Sequence, residues 1–447
     1  MQKWDFLNWD DALSELQGAI QAQERNLVEI CGNESLVILR DWQGKITLCM
    51  PCSREVLNQS DLSKWGASLG VSLGLLANAP DITYCKDEFF DPEDIWTSPN
   101  AVALDAKGEI SVALLDRQDK ENDWLRQLPN TELTKFKPRA VFFGVKGGVG
   151  RSSALTALAL HLANMGKRVL VVDADFESPG VSSSLLDRTA RPDFGLVDWM
   201  TAHALGCDSE QLLEMAETKL TEVSPLSQVT KGRIVVAPSH AKLTQAYIAK
   251  LGRIYRTTEE GVTFAQRLNE VVSTLEAAHD IDVTLIDSRA GLDDTAAAAI
   301  TQLHARVTFL FAIKTAQTWD AYRLLFKHLQ NHPSLHTPID FRDTLRIVSA
   351  LTPDEVSANK GYWEDFQQRA YETCATLYDF DDGSGNEAIY SPAPDDEESP
   401  HYAAKIMWNE VLRAFEPLIE KGQIAPALIE NVFGDFLAKA TVLLGDS

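Results

Sequence analysis

Residues 138–153 read PRAVFFGVKGGVGRSS, and the order of residue types in that stretch decides the fold. An apolar, β-prone run from Ala140 to Phe143 breaks into Gly147, Gly148 and Gly150, and a helical pattern opens at Ser152. Strand, glycine loop and helix in that order make a phosphate cradle. Three glycines in four positions let backbone N–H groups turn toward one anion, and the helix behind them adds the positive end of its dipole. Two positions depart from the common phosphate-loop string G-x-x-x-x-G-K-[ST]: Val145 stands for its first glycine and Arg151 for its lysine.

Downstream of the cradle, strand-length apolar runs alternate with helical segments: VFFGVK, RVLVVDAD, RIVVAPS, VTLIDSRAG, RVTFLFAIK and LRIVSALT. Their hydrophobicity is continuous rather than alternating, as strands covered on both faces require. The predicted fold is α/β, a mostly parallel doubly wound sheet flanked by helices, over residues 136–447. From Asp354 the pattern turns helical and then enters an acidic low-complexity loop near 379–400. Two further helices are expected, near His401–Lys421 and Ala425–Leu444. The last is amphipathic but carries one lysine, so a docked core helix is expected rather than a membrane-surface one.

Residues 1–135 have a different grammar and are read as a separate N-terminal α+β accessory domain. An acidic amphipathic helix, roughly Asp10–Gln23, precedes two hairpin patterns, SLVILRDWQGKITLCM and AVALDAKGEISVALLD, with turns at Asp41–Gly44 and Asp105–Gly108. Between them lie a helical WGASLGVSLGLLAN and an acidic loop with Asp87, Glu88, Asp91, Glu93 and Asp94. The loop lacks the tight ligand spacing of a hard-cation site, and a solvated surface is expected. Cys49 and Cys52 form a C-x-x-C pair that ends a strand instead of opening a helix, and no second pair follows, so buried structural thiols are expected. The charged, proline-containing stretch 116–138 reads as the linker or a bridging helix.

At 447 residues the length corresponds to about three average domains. Six scattered cysteines do not make a disulfide framework. No apolar run approaches the ~20 residues of a membrane span, and the acidic N-terminus is not that of a secreted protein, so a cytoplasmic location is expected. The formal charge of −24 opposes nonspecific attraction to DNA and to anionic lipid. Neither nucleic acid nor membrane is therefore an expected partner.

Lys146-Gly-Gly-Val-Gly150, the VVDAD that ends at Asp175, and the DSRAG from Asp287 to Gly291 together resemble the deviant Walker A P-loop ATPases of the MinD/ParA group, part of the SIMIBI class. The resemblance covers about 138–353 and leaves residues 1–135 outside it. It implies ATP and Mg²⁺ as ligands. Gly147, Gly148, Val149, Gly150, Arg151, Ser152 and Ser153 would surround the phosphates, with Ser152, Asp173 and Asp287 about the metal. Asp175 would orient the attacking water, and Gly291 would offer its N–H to the γ-phosphate. Lys146 matches the signature lysine that reaches a partner subunit's nucleotide, which implies an ATP-dependent homodimer.

Arginine keeps the charge of the P-loop lysine but is wider and forked. Slow hydrolysis with binding retained is expected; a repositioned nucleotide and loss of binding are the alternatives. Arg289 stands where the family has proline, and either an ion pair to Asp293 or Asp294 or a phosphate sensor is compatible with it. The adenine-contacting Asn-Arg of the family is missing after Val348–Pro353. The expected function is an ATP-binding, slowly hydrolysing, dimeric molecular switch that acts through a protein partner bound by the N-terminal domain. The alternative is a non-hydrolysing, nucleotide-bound scaffold or sensor subunit of a larger complex, for instance in a defence system.

Overall fold

The structure, a computed structural model, describes residues 9–445 except 33, 99–100, 105–108, 118–123, 125–135, 188, 243–245, 259–260, 331–340, 354–360 and 380–389. The chain divides into two compact units, Met1–Arg126 and Gln127–Ser447. The boundary read from the sequence, 135/136, falls a little beyond that division, in a stretch outside the described residues.

The first unit has a five-stranded sheet built from β1 (Leu36–Arg40), β2 (Ile46–Met50), β3 (Thr83–Cys85), β4 (Ala101–Leu104) and β5 (Val112–Asp116), in the order β3-β2-β1-β5-β4. Both expected hairpins pair antiparallel. The first turns where Asp41 Oδ1 accepts from the N–H groups of Gln43 and Lys45 and Gly44 takes φ 81°. The second turn lies outside the described residues. Side-chain alternation then sorts β1 and β2 by face. Leu36, Ile38, Ile46, Leu48 and Met50 join one core with Leu16 and Ile20 of the helix Trp9–Ala22 and Leu69 and Leu73 of the helix Trp65–Leu73; Val37 and Cys49 join a second with Ile95 and Leu115.

That sorting separates the two cysteines of the C-x-x-C. Cys49 packs in the second core, while Cys52 packs in the first together with Cys31 and Cys85. All four are buried free thiols. The acidic segment is partly engaged as well, since Glu88 takes a two-pronged ion pair from Arg54 at 2.7 and 3.1 Å.

The second unit holds an eight-stranded sheet of β6 (Arg139–Gly144), β7 (Arg168–Asp173), β8 (Glu222–Val223), β9 (Arg233–Ala237), β10 (Val283–Ala290), β11 (Val307–Ala312), β12 (Leu345–Thr352) and β13 (Ala404–Met407). Its order is β13-β12-β11-β6-β10-β7-β9-β8, and only the β8–β9 pair is antiparallel. Every residue of β6 is buried, as its unbroken apolar run predicts.

One expected element is corrected. The segment expected as a helix near His401–Lys421 contains β13 at the sheet edge, followed by short 3₁₀ turns. In Ala404–Met407 the alternate residues Ala404 and Ile406 are buried while Lys405 and Met407 are half-exposed, a period of two that a one-sided edge strand satisfies and a helix does not. The final helix, Pro426–Leu443, does form, and it docks. Its Phe436 meets Phe142, Phe309 and Phe311 of the central strands at ring-centre distances of 6.1, 5.0 and 6.3 Å. Among the described residues no helix is long and apolar enough to cross a membrane.

The register places the chemistry. Strand β10 lies between β6 and β7, and Asp287 pairs with Phe142 on one side and Asp173 on the other. Parallel neighbours in register point matching residues to the same face, so two aspartates stand together at the strand ends from which the glycine loop leaves β6. This is the carboxyl edge of the sheet, where open α/β folds bind ligands.

Candidate functional site: a glycine loop closed by an arginine

The loop after β6 turns through Gly148 at φ 74° and Gly150 at φ 82°, left-handed values that glycine adopts without strain. The helix Arg151–Asn164 starts directly behind it, and no side chain caps its first turn. A Cβ added at Gly147 or Gly148 would meet nothing within 4 Å, so the space before the loop is open. An uncapped start on a fourteen-residue helix, facing open space through glycines, leaves N–H donors available to an anion. Val149 is buried against the core, and Ser153 lies half-buried one position beyond Ser152. Lys146 is half-exposed and has no ion pair among the described residues.

Arg151 turns away from the loop and toward the aspartates. Its Nε donates to Asp287 Oδ1 at 2.8 Å and its Nη2 to Asp175 Oδ2 at 3.0 Å. Ser152 Oγ donates to the other Asp287 oxygen, Oδ2, at 2.7 Å. The Arg151, Asp175 and Asp287 side chains are 9%, 8% and 1% exposed, so the contacts lie where water screens them little. Burial acts against the guanidinium charge, but the two carboxylates offset it and hold the group above its ordinary value.

Asp173 is fully buried and accepts from the Ser182 N–H at 3.1 Å. Burial first, then the charge of Asp287, pushes its carboxyl up to about 7. Asp175 is pushed up to about 6, again chiefly by burial, against which Arg151 pulls down. Gly291, at φ 103°, gives its N–H to the Gly144 carbonyl at 3.1 Å and so ties the segment after β10 to the end of β6.

Of the two readings of Arg289, the ion pair is what the structure contains: Nε reaches Asp293 Oδ2 at 3.2 Å and Nη1 reaches Glu177 Oε1 at 3.3 Å. Glu177, Tyr247 and Tyr255 escaped the sequence reading. The Tyr247 hydroxyl donates to the Phe176 carbonyl at 2.7 Å and the Tyr255 hydroxyl to Glu177, so the helix Tyr247–Ile254 and the residue after it brace the segment that carries Asp175. These contacts span more than 70 residues of sequence, and no local motif announces them.

The donor chemistry of Ser152 and Asp287 suits Mg²⁺, yet the arrangement does not. Both Asp287 oxygens already accept hydrogen bonds, and a guanidinium stands between Asp287 and Asp175. No group of three or more metal-ligating side chains in a geometry that could hold a metal ion occurs among the described residues. As placed, these residues do not fit a divalent ion.

The family model described as an AAA domain matches residues 140–306, from β6 to the start of β11. No curated protein matches the sequence. Among solved structures, a ParA family ATPase from Chlorobium tepidum is 16% identical, with a TM-score of 0.42, over 68% of this chain and 99% of its own. A Cyanothece McdA in complex with ATP is 14% identical, TM-score 0.42, over 70% and 97%. A pNOB8 ParA bound to nonspecific DNA is 14% identical, TM-score 0.41, over 69% and 99%. The residues that match the AAA-domain model carry the motifs at Lys146–Ser152, Asp173–Asp175 and Asp287–Gly291, which the sheet gathers at one edge and which resemble those of ParA/MinD-like P-loop ATPases.

Proposed function

We propose that the second unit is an ATP-binding molecular switch with slow turnover that acts through partner proteins as an ATP-dependent homodimer. One observation carries the reading: an open glycine loop on an uncapped helix start shares an arginine with Asp175, just after β7, and Asp287, within β10. The N–H groups of Gly147 to Ser153 hold the phosphates, and Lys146 supplies a cation that no described residue of its own chain pairs with. ATP provides the negative charge that competes with Asp175 and Asp287 for Arg151.

A route outward from the loop supports the switch. Asp175 precedes Phe176 and Glu177, which are held by Tyr247 and Tyr255. The helix Tyr247–Ile254 lies at the surface, with Ile248 almost fully exposed. Displacing Arg151 from Asp175 therefore loosens a surface helix two steps away. Sensing through Gly291 requires its bond to the Gly144 carbonyl to open.

A carboxylate that titrates at about 6 is suited to orienting water, but Asp175 is engaged by Nη2 of Arg151. The same clamp favours the second reading, a nucleotide-bound scaffold that does not hydrolyse. Calorimetry with ATP, in Mg²⁺ and in EDTA, together with light scattering, tests the proposal: binding is expected with a doubling of mass. Absence of heat at millimolar ATP in both buffers sinks it. Turnover of the wild type indistinguishable from that of Asp175→Ala selects the scaffold.

A further inference from the structure

We propose that Arg151 is a tethered cation in the place of a divalent metal, so that this site excludes the metal and takes nucleotide phosphates without it. The nucleotide half of this inference rests on the reading of the loop as an ATP site; the exclusion of metal does not.

Three contacts define the arrangement. Nε and Nη2 of one planar guanidinium bind different carboxylates, Asp287 at 2.8 Å and Asp175 at 3.0 Å. The forked geometry of arginine permits this, because its donors are spread over separate edges of a rigid plane. Ser152 Oγ closes the remaining Asp287 oxygen at 2.7 Å. Two side chains a hard cation needs are thereby bound to one another and to a fixed positive charge. A divalent ion arriving at Asp287 meets the guanidinium at contact distance, with too little exposure for water to screen the repulsion.

The third guanidinium nitrogen points to what the site does accept. Nη1 of Arg151 is buried and has no hydrogen-bond partner. A buried charged donor without an acceptor is uncommon and identifies a place for an anionic oxygen. Arg151 is the first residue of the helix whose preceding glycines face open space, so its unpaired Nη1 and the loop N–H groups stand at the same end of that helix, the one side chain turned to the aspartates and the loop open in front of it. Phosphate oxygens placed there receive from the arginine the neutralisation that a bridging metal otherwise gives.

The experiment uses the full chain and begins without nucleotide. Mn²⁺ titration followed by electron paramagnetic resonance is compared for wild type, Arg151→Ala, Arg151→Gln, Asp287→Asn and the double variant Arg151→Ala/Asp287→Asn. Wild type is expected to show no Mn²⁺ site that Asp287→Asn removes. Either folded Arg151 variant is expected to gain one, and the double variant to lose it. A wild-type site abolished by Asp287→Asn overturns the proposal, as does the absence of any gain in a folded Arg151 variant. In the second arm, ATP affinity of the wild type is expected to change by less than about threefold between Mg²⁺ and EDTA, whereas Arg151→Ala loses about tenfold or more in EDTA. A tenfold loss in wild type overturns the metal-free site. No ATP binding in either buffer refutes the nucleotide reading instead, and the Mn²⁺ arm still decides the role of the arginine.

Discussion

Replacing Asp173 by asparagine is expected to stabilise the second unit at alkaline pH and to do nothing of the kind in acid. The fully buried carboxyl rises from 3.8 to about 7, because ionising it places a charge out of reach of water and beside Asp287. Its folded value lies above its unfolded one, so the folded state holds the proton more tightly between those limits. Stability from this group is therefore intact below about pH 4 and declines as pH rises to about 7. A rise of about three pH units corresponds to about 4 kcal/mol at pH 8. The substituted amide does not ionise and escapes that loss, and its oxygen retains the bond from the Ser182 N–H. The new group also brings two buried donors, which offset about 1–3 kcal/mol. The net gain at pH 8 is about 1–3 kcal/mol, and at pH 4 the variant is equal to wild type or weaker. Native-state hydrogen exchange of the β7 peptide, Arg168–Asp173, at several urea concentrations measures the local opening free energy in this unit alone. The reasoning is refuted if the difference between variant and wild type is the same at pH 8 and pH 4.

Other perturbations test other parts. Glu276→Ala removes the partner of Arg139, which is completely buried and bound two-pronged at 2.7 and 2.8 Å; unfolding by urea should show a loss of about 3–5 kcal/mol, and a change below about 1 kcal/mol contradicts the assignment. Gly148→Val forces a β-branched residue to φ 74°, so ATP affinity measured by calorimetry should fall by about tenfold or more with the core intact by circular dichroism. Arg151→Lys should raise ATP turnover in Mg²⁺ by about tenfold or more, since a lysine cannot bridge both aspartates in the same way; an unchanged rate means that something other than the clamp limits hydrolysis. A chain of charge −24 should show no salt-sensitive anisotropy change with a DNA duplex at low ionic strength, and titratable binding reversed by salt identifies a basic patch that the total charge conceals.

The strands nearest the site were the most legible in sequence. Runs such as Ala140–Phe143 and Val169–Val172 are apolar at every position because both faces of β6 and β7 are covered, and that leaves no other period to read. Edge elements gave weaker signals: β13 has four residues and one buried face, and β8 has only two residues. The glycine loop and its aspartates were recognisable from local strings. The destination of Arg151 was not, because it depends on carboxylates 24 and 136 positions away. A residue type in a loop says what charge is available; only the register of β10 between β6 and β7 says which acids stand within its reach. For the same reason Cys49 and Cys52 looked like a pair in sequence although they pack in different cores.

The docking of Phe436 under Phe142, Phe309 and Phe311 has a consequence for biosynthesis. Strand β6 leaves the ribosome about 290 residues before the helix that covers it, an interval of roughly fifteen seconds to a minute at typical elongation rates. Until that helix is made, the cluster that Phe142 forms with the later Phe309 and Phe311 lacks its closing ring. A translation pause upstream of Pro426 lengthens the time for which these strands wait for the helix that completes their core.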